Sequence, residues 1–397
     1  MIRNRFGLLA LFLLIPAAPA IAQKPTTGPW DMKALQSAEV KPEWGKDVGK
    51  AREVYYPGEP FKGKPTRVFA YYAKPTGEGP FPAMLLVHGG GGKAFRDWAE
   101  HWSARGYCAL AMDLAGFGPA GRLADGGPDQ SDDTKFKDFD EKTAKDMWTY
   151  HAIADVIRGH NLLRSFPEVD KDRIAVTGIS WGGYLTCIVA GLDDRLKAAV
   201  PVYGCGFLHE NSHWLAERFE KATPERRKRW VETFDPSAYL SAVKCPILFL
   251  NGTNDFAYPL DSYQKSYSLV TSPRILSVRV RLPHGHLWKF GEVDTFIDSV
   301  LKKGDPLPEV GEMTREGDVV SVAVTGKAKV KSASLHYAVA EGAWQKREWK
   351  SLPAEIKDGK VTAKLPTSRP LVFYLAVIDE RGPEVSAPHM VLPAADK

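Results

Sequence analysis

Two hydrophobic periods alternate along most of this chain. Residues 66–72 alternate apolar and polar positions, as a half-buried strand does. Ala83-Met-Leu-Leu-Val-His88 is a continuous apolar run, the pattern of a strand covered on both faces. Residues 94–105 have helical spacing, and 109–113 again read as a buried strand. A long amphipathic helix is predicted over 142–165. Then come a strand at 174–177, a helix at 183–192, buried strands at 197–203 and 246–251, a strand at 275–282 and a closing helix at 293–301. Strands alternating with helices predict a parallel sheet with helices on both faces, an α/β doubly wound fold. Two inserts interrupt the alternation. Residues 114–141 are a Gly/Asp-rich loop, and 204–244 are helix-like and aromatic-bearing, in the place where such sheets carry lids and substrate loops. Residues up to about 50 are a polar, Pro-containing lead-in.

From about Gly304 the period changes to short alternating strands separated by turns, at 319–324, 334–340, 360–365 and 372–378. Asp358-Gly359 is a hairpin signal. Residues 23–303 are therefore read as one α/β domain and 304–397 as a small antiparallel β-sandwich. Trp344 and Trp349 in it read as core, with a sugar-stacking platform as the other reading.

The first residues add a processing signal. Arg3 and Arg5 precede an apolar run from Phe6 to Ile15, and Ala20-Ile-Ala22 follows. That is the layout of a secretory signal peptide, residues 1–22, cut after Ala22, with a run too short to span a bilayer permanently. The expected location is a periplasm or the exterior. Export permits disulfides, yet Cys108, Cys187, Cys205 and Cys245 lie in apolar segments and read as buried thiols. The net charge of +5 is spread out. Its densest run, Glu225-Arg-Arg-Lys-Arg-Trp230, sits in a helix-like stretch and reads as a solvated face rather than a nucleic-acid patch. No C-x-x-C or H-E-x-x-H spacing suggests a metal, and no dinucleotide or Walker motif suggests a cofactor.

The candidate chemistry lies at predicted strand ends. Gly178-Ile-Ser180-Trp-Gly182-Gly183 follows a strand and opens a helix. This is the nucleophile-elbow pattern, in which small residues permit a sharp turn that lifts one hydroxyl out of the sheet. His88-Gly89-Gly90-Gly91-Gly92 closes the run 83–88. Backbone N–H groups of Gly89, Gly90 and Gly91, together with that of Trp181, are the candidate oxyanion donors. Asp255, in Asn251-Gly-Thr-Asn-Asp255, is the candidate acid that would orient an imidazole. The base is one of His284 and His286. His284, the first after the strand, is favoured, and the choice stays open. The order Ser, Asp, His holds for either. Asp113 reads as a turn-capping residue, and His151 and His160 as structural residues of the long helix. His88, His209 and Trp214 are the candidate substrate-binding residues, with His213 beside them; for the insert residues a packed loop is the other reading.

Together, His88-Gly-Gly-Gly, Asp113-Leu-Ala-Gly-Phe-Gly118, Gly178-Ile-Ser-Trp-Gly-Gly183, Gly252-Thr-Asn-Asp255 and the His284/His286 loop resemble an α/β-hydrolase over about residues 50–303. Within that superfamily the chain is similar to the acetylxylan esterase, dienelactone hydrolase and prolyl-oligopeptidase-like group, and Phe166-Pro-Glu-Val-Asp170-Lys-Asp-Arg-Ile is typical of it. It departs from dienelactone hydrolases, whose nucleophile is Cys, and it lacks the propeller of prolyl oligopeptidases. The resemblance implies an exported serine carboxylesterase acting on a small ester or an acetylated carbohydrate. The alternatives are a serine peptidase or amidase, and a carbohydrate-binding protein on an inactive hydrolase scaffold. No nucleic-acid partner and no membrane span are expected. The sequence leaves the oligomeric state open.

Overall fold

The computed structural model describes residues 27–286, 288 and 290–394. The expected signal peptide lies outside them. No helix among the described residues is long and apolar enough to cross a membrane.

The apolar runs become a nine-stranded sheet. Its strands are β1 (Glu43–Val48), β2 (Ala51–Pro57), β3 (Arg67–Ala73), β4 (Phe81–Val87), β5 (Cys108–Met112), β6 (Val169–Ile179), β7 (Ala198–Val202), β8 (Ile247–Gly252) and β9 (Arg274–Arg279). The order is β1-β2-β3-β5-β4-β6-β7-β8-β9. From β5 to β9 every pairing is parallel, and β1, β2 and β3 are antiparallel. Helices on both faces bury β4, β5, β7 and β8 almost completely, which is why these strands carry no polar alternation. Val87 pairs with Gly178, Ile179 with Val202 and Gly252 with Arg279. The chain therefore leaves β4, β6, β7, β8 and β9 at one edge, the carboxyl edge where such sheets hold ligands.

The lead-in differs from expectation. It holds a helix at Met32–Ser37 as well as β1, and Trp30 is only 2% exposed, with its Nε1 donating to the Tyr150 carbonyl at 2.9 Å. β1 is an exposed edge strand, so it shows no apolar alternation to read. Both inserts are ordered and pack on one another. Residues Asp132–Phe136 form a short helix capped by Ser131, and Pro224–Phe234 form another capped by Thr223. Phe136, Phe219 and Trp230 meet with ring centroids 5.0–5.7 Å apart. The basic run of that second helix lies on its outer side, where Arg226 and Arg229 pair with Asp138. All four cysteines are buried free thiols.

Beyond the closing helix Gly291–Lys302 lie two antiparallel sheets. One pairs Val319–Thr325 with Lys360–Lys364, and the other pairs Val330–Val339 with Leu371–Asp379. Asp358 and Gly359 turn the hairpin with φ of 50° and 72°. Trp344 and Trp349 are 8% and 3% exposed and fill the interior. This region is docked against β9 and its neighbours. Ser386 Oγ accepts the Val278 N–H at 3.0 Å, and Glu292 Oε1 accepts the Glu384 N–H at 3.1 Å.

Candidate active site

Ser180 stands between β6 and the helix Trp181–Leu192 with φ 59° and ψ −120°, a region that side chains other than glycine seldom adopt. The strain is held from both sides: its N–H donates to the Val202 carbonyl at 2.9 Å, and its carbonyl accepts from Tyr184. The glycines around it are there for space. A Cβ on Gly182 would fall on the Val87 carbonyl oxygen, and one on Gly178 would fall on that of Gly182. The turn therefore closes only with bare backbone at both positions.

Asp255 is 2% exposed and fully hydrogen-bonded. Its Oδ1 accepts the N–H groups of Ala257 and Tyr258 at 2.9 and 2.8 Å, and its Oδ2 lies 2.6 Å from His284 Nδ1. A carboxylate so placed requires Nδ1 to carry the proton, leaving the Nε2 lone pair of His284 free to take another. The acid loop and the histidine loop are joined directly, since Thr253 Oγ1 accepts the Arg281 N–H at 3.0 Å. Tyr203 stacks on the His284 ring at 4.5 Å and donates its hydroxyl to the Pro283 carbonyl at 3.0 Å. Phe256, 52% exposed, meets His284 edge-on at 4.7 Å.

His286 has a different set of partners. Its Nε2 accepts the Gly89 N–H at 3.0 Å, and its ring lies 5.0 Å from that of Phe95. Burial pushes its basicity below the ordinary imidazole value, and the nearby His88 and His284 add to the shift. Among the described residues it has no hydrogen bond or ion pair to Asp255.

Two of the candidates in the glycine loop already have partners. The Gly89 N–H, a candidate oxyanion donor, donates to His286. His88, a candidate for substrate contact, is 1% exposed and both its ring nitrogens have partners. Its Nε2 accepts from Leu114 N–H at 2.9 Å, and its Nδ1 lies 2.7 Å from the Gly89 carbonyl. That pattern fits one neutral tautomer, and burial holds the imidazole below its ordinary basicity. His88 thus braces the loop against the turn after β5. The same turn is capped by Asp113, whose Oδ1 accepts from Ala115 and Phe117. Gly90 lies against the elbow, where an added Cβ would stand 2.9 Å from Trp181 Cδ1. Among the described residues, neither the Gly90 nor the Trp181 N–H has a hydrogen-bond partner. Gly91 faces open space at φ 66°.

Of the insert residues, Trp214 packs on Trp181 at 4.6 Å, whereas His209 stacks on Phe207 within the insert and has no ring contact with His284. His213 reaches the site instead, through Phe256 at 5.6 Å. Tyr203 and Phe256 were the residues sequence reasoning missed. Tyr203 directly follows β7 and Phe256 follows the candidate acid, so strand-end position was the available signal.

A strained serine after β6, a buried acid after β8 and a histidine after β9 stand at the carboxyl edge of a mostly parallel sheet. Residues 34–214 match the acetyl xylan esterase (AXE1) family model. The acetyl xylan esterase of Paenibacillus sp. R4 superposes with a TM-score of 0.53 at 25% identity, covering 68% of this chain and 92% of that one. This chain is an α/β-hydrolase. A second model, the PhoPQ-activated pathogenicity-related protein, matches residues 203–350 of the hydrolase. Acetyl esterase Axe7A of Xylanibacter ruminicola is 22% identical over 229 residues, 52% of this chain and 50% of its own. Dipeptidyl aminopeptidase BIII of Pseudoxanthomonas mexicana is 24% identical over 201 residues, 45% of this chain and 26% of its own. The hydrolase thus spans half the length of Axe7A and less of the peptidase.

Proposed function

We propose that this α/β-hydrolase is an exported serine carboxylesterase that removes acetyl groups from a carbohydrate. The observation that carries the reading is the 2.6 Å contact between His284 Nδ1 and the buried Asp255, on the edge where Ser180 is held in its strained turn. The match to acetyl xylan esterases supports the acyl group and the sugar. The residues 1–22 pattern supports export.

In this reading Ser180 Oγ attacks the acetyl carbonyl carbon as His284 Nε2 takes the hydroxyl proton. The carbonyl oxygen becomes an oxyanion between the N–H groups of Gly90 and Trp181. Collapse of the tetrahedral intermediate expels the sugar oxygen, which receives the proton from His284. A water then attacks the acetyl-serine with His284 again as base, releasing acetate and restoring Ser180. Asp255 keeps the proton on Nδ1 throughout and stabilises the imidazolium formed in each half.

The test is labelling by a fluorophosphonate, together with acetate release from acetylated xylan. The native protein is expected to do both and a folded Ser180→Ala variant neither. Activity that survives in Ser180→Ala refutes the mechanism. The similarity to a dipeptidyl aminopeptidase favours a second reading, hydrolysis of peptide amides. Parallel assays on peptide nitroanilides separate the two. Well-folded native protein that takes no label would instead favour a binding role.

A further inference from the structure

A cleft of about 490 Å³ opens where the C-terminal sheets meet the hydrolase fold, directly beside the candidate acid and base. On one side it is lined by Asp255, Phe256, Arg281 and His284, and on the other by the loop carrying Lys346 and Arg347. The loop is fixed in place. Asn254, next to Asp255, donates its side-chain amide to the carbonyls of Gln345 at 3.1 Å and Arg347 at 2.8 Å. Arg347 lies flat over Trp344, with its guanidinium 3.6 Å from the ring centroid.

The charges in this cleft are unbalanced. Arg281, Lys346 and Arg347 face it, and none forms an ion pair with a carboxylate among the described residues. Arg347 Nη2 donates to the Gly342 carbonyl at 3.4 Å, while its Nε and Nη1 are shielded from water and have no hydrogen-bond partner among the described residues. Asp261 acts on Arg347 only through space, and its carboxylate instead accepts from the Asn211 amide and the Ser262 N–H. Asp255 is committed to His284 and to two backbone N–H groups, which leaves Glu348 as the one acid on the rim. A half-buried guanidinium that lines a cleft without a carboxylate partner is matched by an oxyanion, to which it can add charge-assisted hydrogen bonds.

We propose that this cleft binds a carboxylate carried by the substrate, so that the preferred ester is an acetylated sugar attached to or neighbouring a uronic-acid residue. The inference rests on the esterase reading and deepens it. Arg347 grips the carboxylate, Arg281 and Lys346 add long-range attraction, and the adjoining sugar is set in front of His284. The C-terminal region is then part of the specificity apparatus.

The experiment compares kcat/KM for two acetylated xylo-oligosaccharides that differ only by one glucuronate substituent. A charge-assisted hydrogen bond of ordinary strength predicts about a tenfold preference for the acidic one. The preference should shrink in Arg347→Met and, in the native protein, at about 0.5 M salt, where the Debye length falls to a few ångströms. Lys346→Met, on an exposed side chain, gives a second variant should Arg347→Met fold poorly; it is expected to lower the same ratio by a smaller factor. Equal turnover of the two substrates, or a preference untouched by these variants and by salt, overturns the inference and leaves the esterase standing. A preference for a sulfated analogue over the uronate overturns the carboxylate assignment. Failure to hydrolyse either substrate refutes the esterase reading itself.

Discussion

His284 and His286 stand two residues apart, and exchanging each for glutamine separates their roles. His284→Gln removes the imidazole that contacts Asp255 at 2.6 Å. It leaves a buried carboxylate still holding two backbone N–H groups, so the loop keeps its shape while the proton acceptor is lost. The expected cost is a drop in kcat of about 10⁴ or more, equivalent to roughly 5.4 kcal/mol of barrier. His286→Gln removes one acceptor, for the Gly89 N–H, and some ring packing on Phe95. An exchanged hydrogen bond of this kind is worth roughly 1 kcal/mol, about fivefold, and the glutamine carbonyl can recover part of it. The assay is steady-state hydrolysis of an activated acetate ester, with burst amplitude to count acylated sites. Asp255→Asn gives an internal check: an amide there can stabilise the wrong tautomer of His284, so its kcat should fall by about the same 10⁴. If His286→Gln costs as much as His284→Gln, the assignment of the base from the Asp255 contact is wrong.

Two further outcomes are expected. Gly90→Ala places a methyl 2.9 Å from the Trp181 ring, and moving either group shifts a candidate oxyanion donor. Since losing one such donor outright costs about 10²–10³, kcat should fall at least about tenfold with KM little changed, and an unaltered kcat would remove Gly90 from the oxyanion site. His151 and His389 are both held down to about 4 by burial. Both bind protons in the unfolded chain below about pH 6.5 but not in the folded one, so this stability is present above pH 6.5 and lost as pH falls towards 4. At pH 5 each should cost up to about 2 kcal/mol, and His389→Gln should flatten the pH dependence of the urea midpoint; parallel curves for native and variant protein would contradict it.

The parallel strands were legible because burial on both faces leaves unbroken apolar runs, as in Ala83–Val87 and Ile247–Leu250. The elbow was legible because its turn needs glycine on either side of the serine, at 178 and 182. β1 was not, because an exposed edge strand needs no apolar period. The short helix Asp132–Phe136 was hidden inside a Gly/Asp-rich stretch, where capping by Ser131 and packing of Phe136 on Trp181 decide the outcome. Sequence favoured His284 over His286 only by strand-end order and left the choice open, because the difference lies in which backbone or carboxylate each ring reaches. The partners that His88 and the Gly89 N–H take were likewise not legible, because they depend on which atoms the fold brings within reach. No spacing rule could have shown that Asn254 reaches across to the carbonyls of Gln345 and Arg347.

That last contact bears on how this architecture can be recombined. Asn254 is the immediate neighbour of Asp255, so a graft that exchanged the C-terminal sheets for another module would free an amide in the middle of the acid loop. The receiving module would have to offer two carbonyls at the same spacing as residues 345 and 347. Modules without them would be expected to yield folded chimeras of normal secondary structure and depressed turnover, with the joint between the two regions acting as a compatibility code rather than a tether.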